Sequence, residues 1–362
     1  MSRAAWAEIN LSALRLNLQR VRQLASGARV VAMVKANAYG HGILRVARAL
    51  DGADAFGVAS IDEALELRSA GISQRIVLVE GVFEAAELPL VQQERLDIVV
   101  HHEAQLQLLQ RATLNATQPL QIWVKLDTGM HRLGFSPAQL PEVLRRLRGC
   151  DGIAPDVILM THLASADERS SKVTAQQIAC FESATHAHHS ARSMANSAGI
   201  LAWPSTHYDW VRPGLMLYGI SPFSGSSAAQ EGLQPVMTIK SKLIAVNHFK
   251  QGDAIGYGGT WACPQDMPVG VVAFGYGDGF PRHAASGTPV LINGKRVEVI
   301  GRVSMDMITV DLRSQPQAQV GDPAVLWGQG LPVEEIARSA ATIPYELVCG
   351  ITQRVRVTEV ED

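Results

Sequence analysis

Eight short apolar runs recur through the first two thirds of the 362-residue chain, and longer amphipathic segments separate them. Each run is long enough for a buried strand and too short for a helix of ordinary length. A chain that alternates eight strands with helices can close its sheet into a parallel (β/α)8 barrel of the TIM type. The runs are VVAMVK (30–35), AFGVAS (55–60), IVLVEG (76–81), LDIVVHH (96–102), IWVKLDTG (122–129), VILMTHLA (157–164), SMANSAG (193–199) and WVRPGLMLYG (210–219).

An open, doubly wound parallel sheet is the alternative arrangement for such an alternation. That fold carries a G-x-G-x-x-G sequence after its first strand when it binds a dinucleotide, and none follows VVAMVK here. Between the runs, Ser60 and Glu63 have the spacing of a helix capping box, and Ser136-Pro137 is typical of a helix start. We therefore predict helices between the strands and a closed barrel.

The pattern changes near residue 232. The sequence TPVLINGKRVEVIG (288–301) places Asn293-Gly294 between two β-rich runs, which predicts a two-residue hairpin. A Ser/Gly-rich segment just before the change is typical of a linker. We predict a barrel domain over residues 1–231, whose first few residues could join the other domain, and a mainly β domain over residues 232–362.

The charge and the cysteine pattern exclude several classes of protein. The formal net charge is −2, so no basic field indicates a nucleic acid or an anionic membrane as partner. The four cysteines form no C-x-x-C pair, which predicts free thiols in a reducing compartment and no zinc site. No apolar stretch is long enough to span a bilayer, so we expect a cytoplasmic protein. His186, His188 and His189 lack carboxylates at matching spacing, and no metal site is predicted.

Polar side chains gather where the predicted strands end. In a (β/α)8 barrel the active site forms at the carboxyl ends of the strands, so these residues should converge. A partly buried lysine favours its neutral amine, which attacks carbonyl groups and forms Schiff bases. Taken alone, Lys35 would more often be an ion-paired or surface-reaching lysine. The strand-end residues are Lys35 and Tyr39; Lys125, Asp127 and Arg132; His162; Asn196 and Ser197; and Arg212 and Gly214.

The loops after the last two strands are rich in small residues. Barrels often bind phosphate in these two loops, and small residues let backbone N–H groups approach an anion. A Schiff-base lysine beside a phosphate site suggests pyridoxal 5′-phosphate (PLP), which requires both. A Schiff-base aldolase acting on a phosphorylated sugar would use similar parts, so these residues alone leave both possibilities open.

The order of the motifs resembles that of the bacterial alanine racemases over essentially the full length. The resemblance implies a PLP-binding barrel, a C-terminal β domain and a head-to-tail homodimer whose active sites take groups from both chains. The matching stretches are VVAMVKANAYGHG (30–42), VKLDTGMHRLGF (124–135), THLASADE (161–168), ANSAG (195–199), DWVRPGLMLYG (209–219), GYGGTW (256–261), GYGDGFPR (275–282) and GRVSMDM (301–307).

The resemblance also implies a role for each matching residue. Lys35 would hold PLP and act as the base toward the D-substrate, and Tyr257 from the partner chain would be the base toward the L-substrate. Arg212 would face the pyridine nitrogen, and Arg132 would bind the substrate carboxylate. The remaining roles are the phosphate contacts Tyr39, Ser197, Gly214 and Leu215, His162 near the cofactor ring, the partner's substrate contact Met305, Tyr276 at the entrance, and Lys125 as a candidate carbamylated lysine.

Two departures from the family pattern are visible. Ser304 replaces a cysteine that some relatives have, and the C-terminal segment offers Gln353 where some relatives have a tyrosine that reaches the phosphate. The expected function is interconversion of L- and D-alanine, for peptidoglycan or for alanine catabolism. A racemase for serine or lysine would share the catalytic residues. A single-domain PLP carrier would lack the β domain and Tyr257, and a two-domain PLP decarboxylase would need other C-terminal motifs.

Overall fold

The computed structural model describes residues 3–361, and eight parallel strands in it form a closed barrel. A first strand, β1 (Ala5–Asn10), lies outside this barrel. The prediction of eight barrel strands is confirmed, although every strand is shorter than the run that predicted it and β8 shares only Ser193 with its run. The barrel strands are β2 (Arg29–Met33), β3 (Ala55–Val58), β4 (Arg75–Leu78), β5 (Leu96–Val100), β6 (Ile122–Lys125), β7 (Ile158–Met160), β8 (Ala191–Ser193) and β9 (Trp210–Val211).

Helices connect the strands, as the alternation predicts. Ser60 caps its helix, since its Oγ accepts a hydrogen bond from the Glu63 N–H at 3.4 Å. The helices are α1 (Leu11–Leu24), α2 (Lys35–Tyr39), α3 (Ile43–Ala49), α4 (Ile61–Ser69), α5 (Leu88–Gln93), α6 (Glu103–Arg111), α7 (Leu140–Arg148), α8 (Lys172–Thr185) and α9 (Ser197–Ala202). Short 3₁₀ helices span Ala85–Glu87, Pro137–Gln139, Pro204–Thr206, Leu215–Tyr218 and Ala228–Glu231.

The C-terminal part is mainly β. Its strands are β10 (Met237–Phe249), β11 (Ala254–Ile255), β12 (Trp261–Ala262), β13 (Met267–Val272), β14 (Pro289–Ile292), β15 (Lys295–Glu298), β16 (Ile308–Asp311), β17 (Pro323–Trp327) and β18 (Arg356–Val360). The main sheet has the order β15-β14-β17-β10-β1-β18, and β13 pairs with β10 and β16. The predicted hairpin at Asn293-Gly294 is confirmed, and both residues have the positive φ that its turn requires. A 3₁₀ turn spans Tyr257–Gly259, and two helices follow, α10 (Val333–Ser339) and α11 (Pro344–Cys349).

The first strand ties the N-terminus to the C-terminal sheet. β1 pairs antiparallel with β10 and parallel with β18. Between the two parts, Glu334 Oε1 accepts hydrogen bonds from the N–H groups of Ser221 and Ala228 at 2.9 and 3.0 Å. The two parts therefore share buried hydrogen bonds as well as apolar contacts. No helix within residues 3–361 is both long enough and apolar enough to cross a membrane.

Candidate active site

A cavity of about 670 Å³ opens at the carboxyl ends of the barrel strands, and we call it the barrel cavity. Its volume lies within the range of small-molecule sites. The structure brings most of the predicted site residues together in its lining. These residues are Lys35, Tyr39, Lys125, Arg132, His162, Ser197, Arg212, Gly214 and Leu215.

Lys35 stands directly after β2, at the start of an unusual turn. The backbone of residues 36–39 is left-handed, with φ values of 52° to 53° in four consecutive residues. Left-handed conformations cost L-residues about 1–2 kcal/mol each, so this turn is strained. Such strain persists only where the surrounding structure fixes the backbone. The turn brings both Lys35 and Tyr39 to the barrel cavity.

A pocket of backbone N–H groups forms beside Tyr39. Ser197 Oγ accepts hydrogen bonds from the N–H groups of Gly214 and Met216, at 3.0 and 3.2 Å. A Cβ at Gly214 would lie 2.5 Å from Tyr39 Oη, so only glycine fits there. The helices that begin at Ser197 and Leu215 have first N–H groups without an intrahelical acceptor. The N–H groups at these two helix starts that do not donate to Ser197 form a cradle for a small anion, which we call the anion cradle.

Arg212 is buried in the cavity wall and is held from several sides. Its Nη1 donates to Ser193 Oγ at 2.6 Å, and its Nη2 donates to the Thr161 carbonyl at 2.7 Å. Nη2 also lies 3.3 Å from Nδ1 of His162. Burial lowers the pKa of Arg212 to about 10, which leaves the guanidinium charged at neutral pH. Arg212 is therefore a fixed positive charge beside His162.

Three further cations, Lys35, Lys125 and Arg132, line the same cavity. Burial, followed by repulsion from Arg212, Arg132 and Lys35, lowers the pKa of Lys125 to about 8. Burial and the same positive neighbours also hold the pKa of His162 well below its usual value, so its ring is neutral. The cavity is therefore suited to a ligand that brings negative charge.

Three other predicted residues lie outside the lining of the barrel cavity. Tyr257, Tyr276 and Met305 are exposed on the C-terminal domain, with 67%, 38% and 52% of their surface accessible. Tyr276 and Met305 belong to adjoining loops, because the N–H of Tyr276 donates to the Ser304 carbonyl at 3.0 Å. The structure therefore does not bring these three residues to Lys35 within one chain.

The loops that carry Tyr276 and Met305 are fixed by a charged network. Asp278 is fully buried and accepts hydrogen bonds from Arg3 at 2.6 and 3.1 Å. Arg354 Nη2 donates to Asp306 at 2.5 Å, next to Met305. A buried carboxylate that is paired in this way stabilises the loops around it. The network thus holds the two loops that carry Tyr276 and Met305 in one conformation.

The C-terminal segment contributes two further side chains to the barrel cavity. Tyr345 lines it, with its ring centre 5.8 Å from that of Tyr39, and Cys349 lines it as well. The sequence analysis missed Cys349 as a lining residue. Pro344 at the start of α11 is a local signal for the helix that carries both residues. Gln353 is exposed, and the departure inferred there stays a prediction.

Comparisons with known proteins agree with this geometry. The family model for the alanine racemase N-terminal domain matches residues 9–222, and that for the C-terminal domain matches residues 236–359. An alanine racemase of Nitrosococcus oceani is 56% identical over 349 residues, which cover 96% of this chain and 97% of the relative.

Solved structures show the same relationship. The crystal structure of a biosynthetic alanine racemase from Pseudomonas aeruginosa has a TM-score of 0.96 and 45% identity, over 99% of this chain and 100% of that one. An alanine racemase from Bartonella henselae, solved with covalently bound pyridoxal phosphate, has a TM-score of 0.90 and 27% identity, over 99% of both chains. Matches of this extent confirm the predicted family, and the chain belongs to the alanine racemase family.

Proposed function

We propose that the chain interconverts L- and D-alanine with PLP in the barrel cavity and with two proton-transferring residues, Lys35 and Tyr257. The observation that carries the proposal is the convergence of Lys35, Arg212 and the anion cradle in one cavity. The residues fit PLP because the cradle at Gly214 has no room for a side chain and suits a phosphate. When bound, PLP withdraws electrons from the amino acid and makes its α-proton acidic.

The chain's own residues would divide the remaining work. Lys35 Nζ would hold the cofactor covalently and then accept or return the α-proton on one face of the substrate. Tyr257 Oη would do the same on the opposite face, since inversion of a carbon centre needs a base on each side. Arg132 would hold the substrate carboxylate. Arg212 would donate to the pyridine nitrogen and, being charged already, would leave that nitrogen unprotonated.

A homodimer would bring the two bases together. Tyr257, Tyr276 and Met305 are exposed and lie apart from the lining of the barrel cavity, while Lys35 lies in it. In a symmetric dimer these three residues would enter the barrel cavity of the other copy, so that each of the two sites would be formed by both chains. Each chain then supplies Lys35 to one site and Tyr257 to the other.

The lining of the barrel cavity also bears on the substrate. Tyr345 and Tyr39 fill one side of the barrel cavity and leave less room for a long side chain, which favours alanine over lysine. The bound PLP of the Bartonella henselae relative supports the cofactor. We propose that the enzyme works in the cytoplasm and supplies D-alanine for peptidoglycan or serves alanine catabolism.

A direct test starts from the purified protein. We expect a visible absorption band from bound PLP and formation of D-alanine from L-alanine, with slower turnover of serine and lysine. The absence of the band together with full racemase activity would contradict the assignment of the cofactor. Faster turnover of serine or lysine would contradict the assignment of the substrate.

Lys125 provides a test of the electrostatics. Its neutral amine can attack CO2, form a nitrogen–carbon bond and release a proton, which converts a cation beside Arg132 into a carbamate anion. The reacting form is the neutral amine, so carbamate should increase as pH rises through the lowered pKa of about 8. An ordinary lysine, with a pKa of ~10.4, would form a carbamate to the same extent only in a more alkaline solution.

We therefore expect a carbamate resonance in the ¹³C NMR spectrum of enzyme equilibrated with ¹³CO2 at constant partial pressure. The resonance should grow between about pH 7 and pH 9, because the neutral fraction of Lys125 rises across that interval. It should be missing from Lys125→Met. A resonance of equal intensity in the variant would assign the carbamate elsewhere and refute the proposal for Lys125.

A further inference from the structure

His41 follows the strained turn and is completely buried. Its Nδ1 lies 2.8 Å from the Tyr39 carbonyl and 3.1 Å from the Ala38 carbonyl. Carbonyl oxygens only accept hydrogen bonds, so Nδ1 must carry the proton. Burial lowers the pKa of His41 to about 4, so the ring is neutral and has one donor, at Nδ1. That single donor is directed at the turn that follows Lys35.

The other ring nitrogen makes a histidine at this buried position destabilising. Nε2 is buried and has no hydrogen-bond partner among residues 3–361. An unpaired buried acceptor destabilises a fold, and an apolar side chain of similar size would avoid that cost. A buried polar group that lacks a partner calls for an explanation of its own. The bond from Nδ1 to the turn is the only polar contact that the side chain makes within the described chain.

Several hydrogen bonds hold the turn, including backbone bonds from Ala38 N–H to the Val34 carbonyl and from Gly42 N–H to the Asn37 carbonyl. Ala36 N–H donates to Glu63 Oε1 at 2.7 Å, and Asn37 Oδ1 accepts from the Ile43 N–H at 2.9 Å. The Tyr39 carbonyl, at the end of the turn, accepts a hydrogen bond from His41 and from no other group among residues 3–361. His41 therefore fixes the backbone carbonyl of Tyr39 at the end of the turn.

Aromatic packing holds His41 itself in place. Its ring centre lies 4.6 Å from that of Tyr218, which stacks on Tyr39 at 4.7 Å. Tyr218 Oη donates to the carbonyl of Met33, in the strand that leads to Lys35, at 2.7 Å. His41 and Tyr218 thus clamp the segment from Met33 to Tyr39 from behind the barrel cavity.

We propose that His41 is a positioning residue, whose Nδ1–H keeps the left-handed turn closed and so fixes Lys35 and Tyr39 for PLP binding. His41 does not line the barrel cavity, so it acts through the turn and has no contact with the ligand. Relaxation of the turn to right-handed backbone would move Lys35 and Tyr39 relative to each other. The inference rests on the proposed function, since it takes PLP as the ligand that Lys35 and Tyr39 hold.

The test compares two replacements of His41 that differ in one hydrogen bond. Asparagine places an amide N–H where Nδ1 stands, whereas leucine fills the space without a donor. Apo-protein of each variant is titrated with PLP, and binding is followed by visible absorption. We expect His41→Leu to weaken PLP binding at least about tenfold and His41→Asn to stay within about threefold of the natural protein.

Val46→Ala is the control for a general loss of stability, because Val46 is fully buried in the neighbouring helix α3 and makes no contact with the ligand. It should lower the midpoint of thermal unfolding and leave PLP binding unchanged. If His41→Leu does not accumulate, His41→Gln replaces it, because its amide corresponds to Nε2 and cannot reach the turn in the same way.

Unchanged PLP affinity in the donor-free variant would overturn the inference, and so would an equal loss in His41→Asn and His41→Leu. Failure of the natural protein to bind PLP would instead overturn the proposed function. The two failures are therefore distinguishable in one set of titrations.

Discussion

Replacing Lys35 by alanine should abolish racemisation in both directions. Lys35 stands at the start of the strained turn in the barrel cavity. We propose that it both holds PLP covalently and transfers the α-proton. Loss of a general base alone lowers rates by about 10²–10⁴. Loss of the covalent attachment comes in addition, so we expect at least about a 10⁴-fold decrease. The rates of D-alanine and L-alanine formation can each be measured from a single enantiomer.

Lys172→Ala is a matched control, because Lys172 is an exposed lysine at the start of α8. It should retain the natural rates in both directions. A Lys35→Ala protein that is folded and keeps more than a few per cent of either rate would refute the role of Lys35.

Replacing Tyr257 by phenylalanine should lower racemisation by about 10²–10⁴, because the variant loses a proton-transferring group and keeps the ring. The visible absorption of bound PLP should remain, since the barrel cavity of each chain is lined without Tyr257. Tyr208→Phe is the control, because the Tyr208 hydroxyl contacts Glu182 at the outside of the barrel. Full activity in Tyr257→Phe would refute the two-base proposal.

Mixing the two inactive proteins tests whether the sites are shared. A dimer with one Lys35→Ala chain and one Tyr257→Phe chain has one site with both residues intact and one site with neither. Random exchange of subunits should therefore restore about a quarter of the natural activity per site. Recovery would show that Lys35 and Tyr257 act from different chains. If exchange is verified and no activity returns, both bases belong to the same chain.

The barrel was predictable because the physical causes of its strands are local. Runs such as VVAMVK are apolar throughout, as strands buried on both faces must be, and turn or capping residues separate them. The exact ends were less predictable. Strand β8 begins at Ala191, two residues before the run that predicted it, because pairing with β7 and not local composition sets its start.

The turn after Lys35 could not be predicted from residues 35–39. Alanine favours right-handed helix, so local propensity points away from the observed backbone. The conformation is set by contacts with distant parts of the chain, such as the carbonyl of Val348, which lies where a side chain at Gly40 would stand. Tyr345 likewise lies at the barrel cavity because of a contact between distant parts of the chain, since α11 packs on α2.

The proposal that Lys35 and Tyr257 act from different chains comes only from the family resemblance. Nothing in the sequence around Tyr257 distinguishes a base from an exposed loop aromatic. Its exposure on the single chain is physically informative only together with the lining of the barrel cavity, which includes Lys35 and does not include Tyr257.

The placement of β1 has a consequence for biosynthesis. β1 lies between β10 and β18 in the sheet and precedes both of them in the sequence, and β18 pairs with no other strand among residues 3–361. The C-terminal sheet therefore lacks a strand until β18 has been translated, even after the barrel segments have emerged. During that time β1 exposes an unpaired edge, which is a site for pairing with another chain. Pairing with β18 covers this edge.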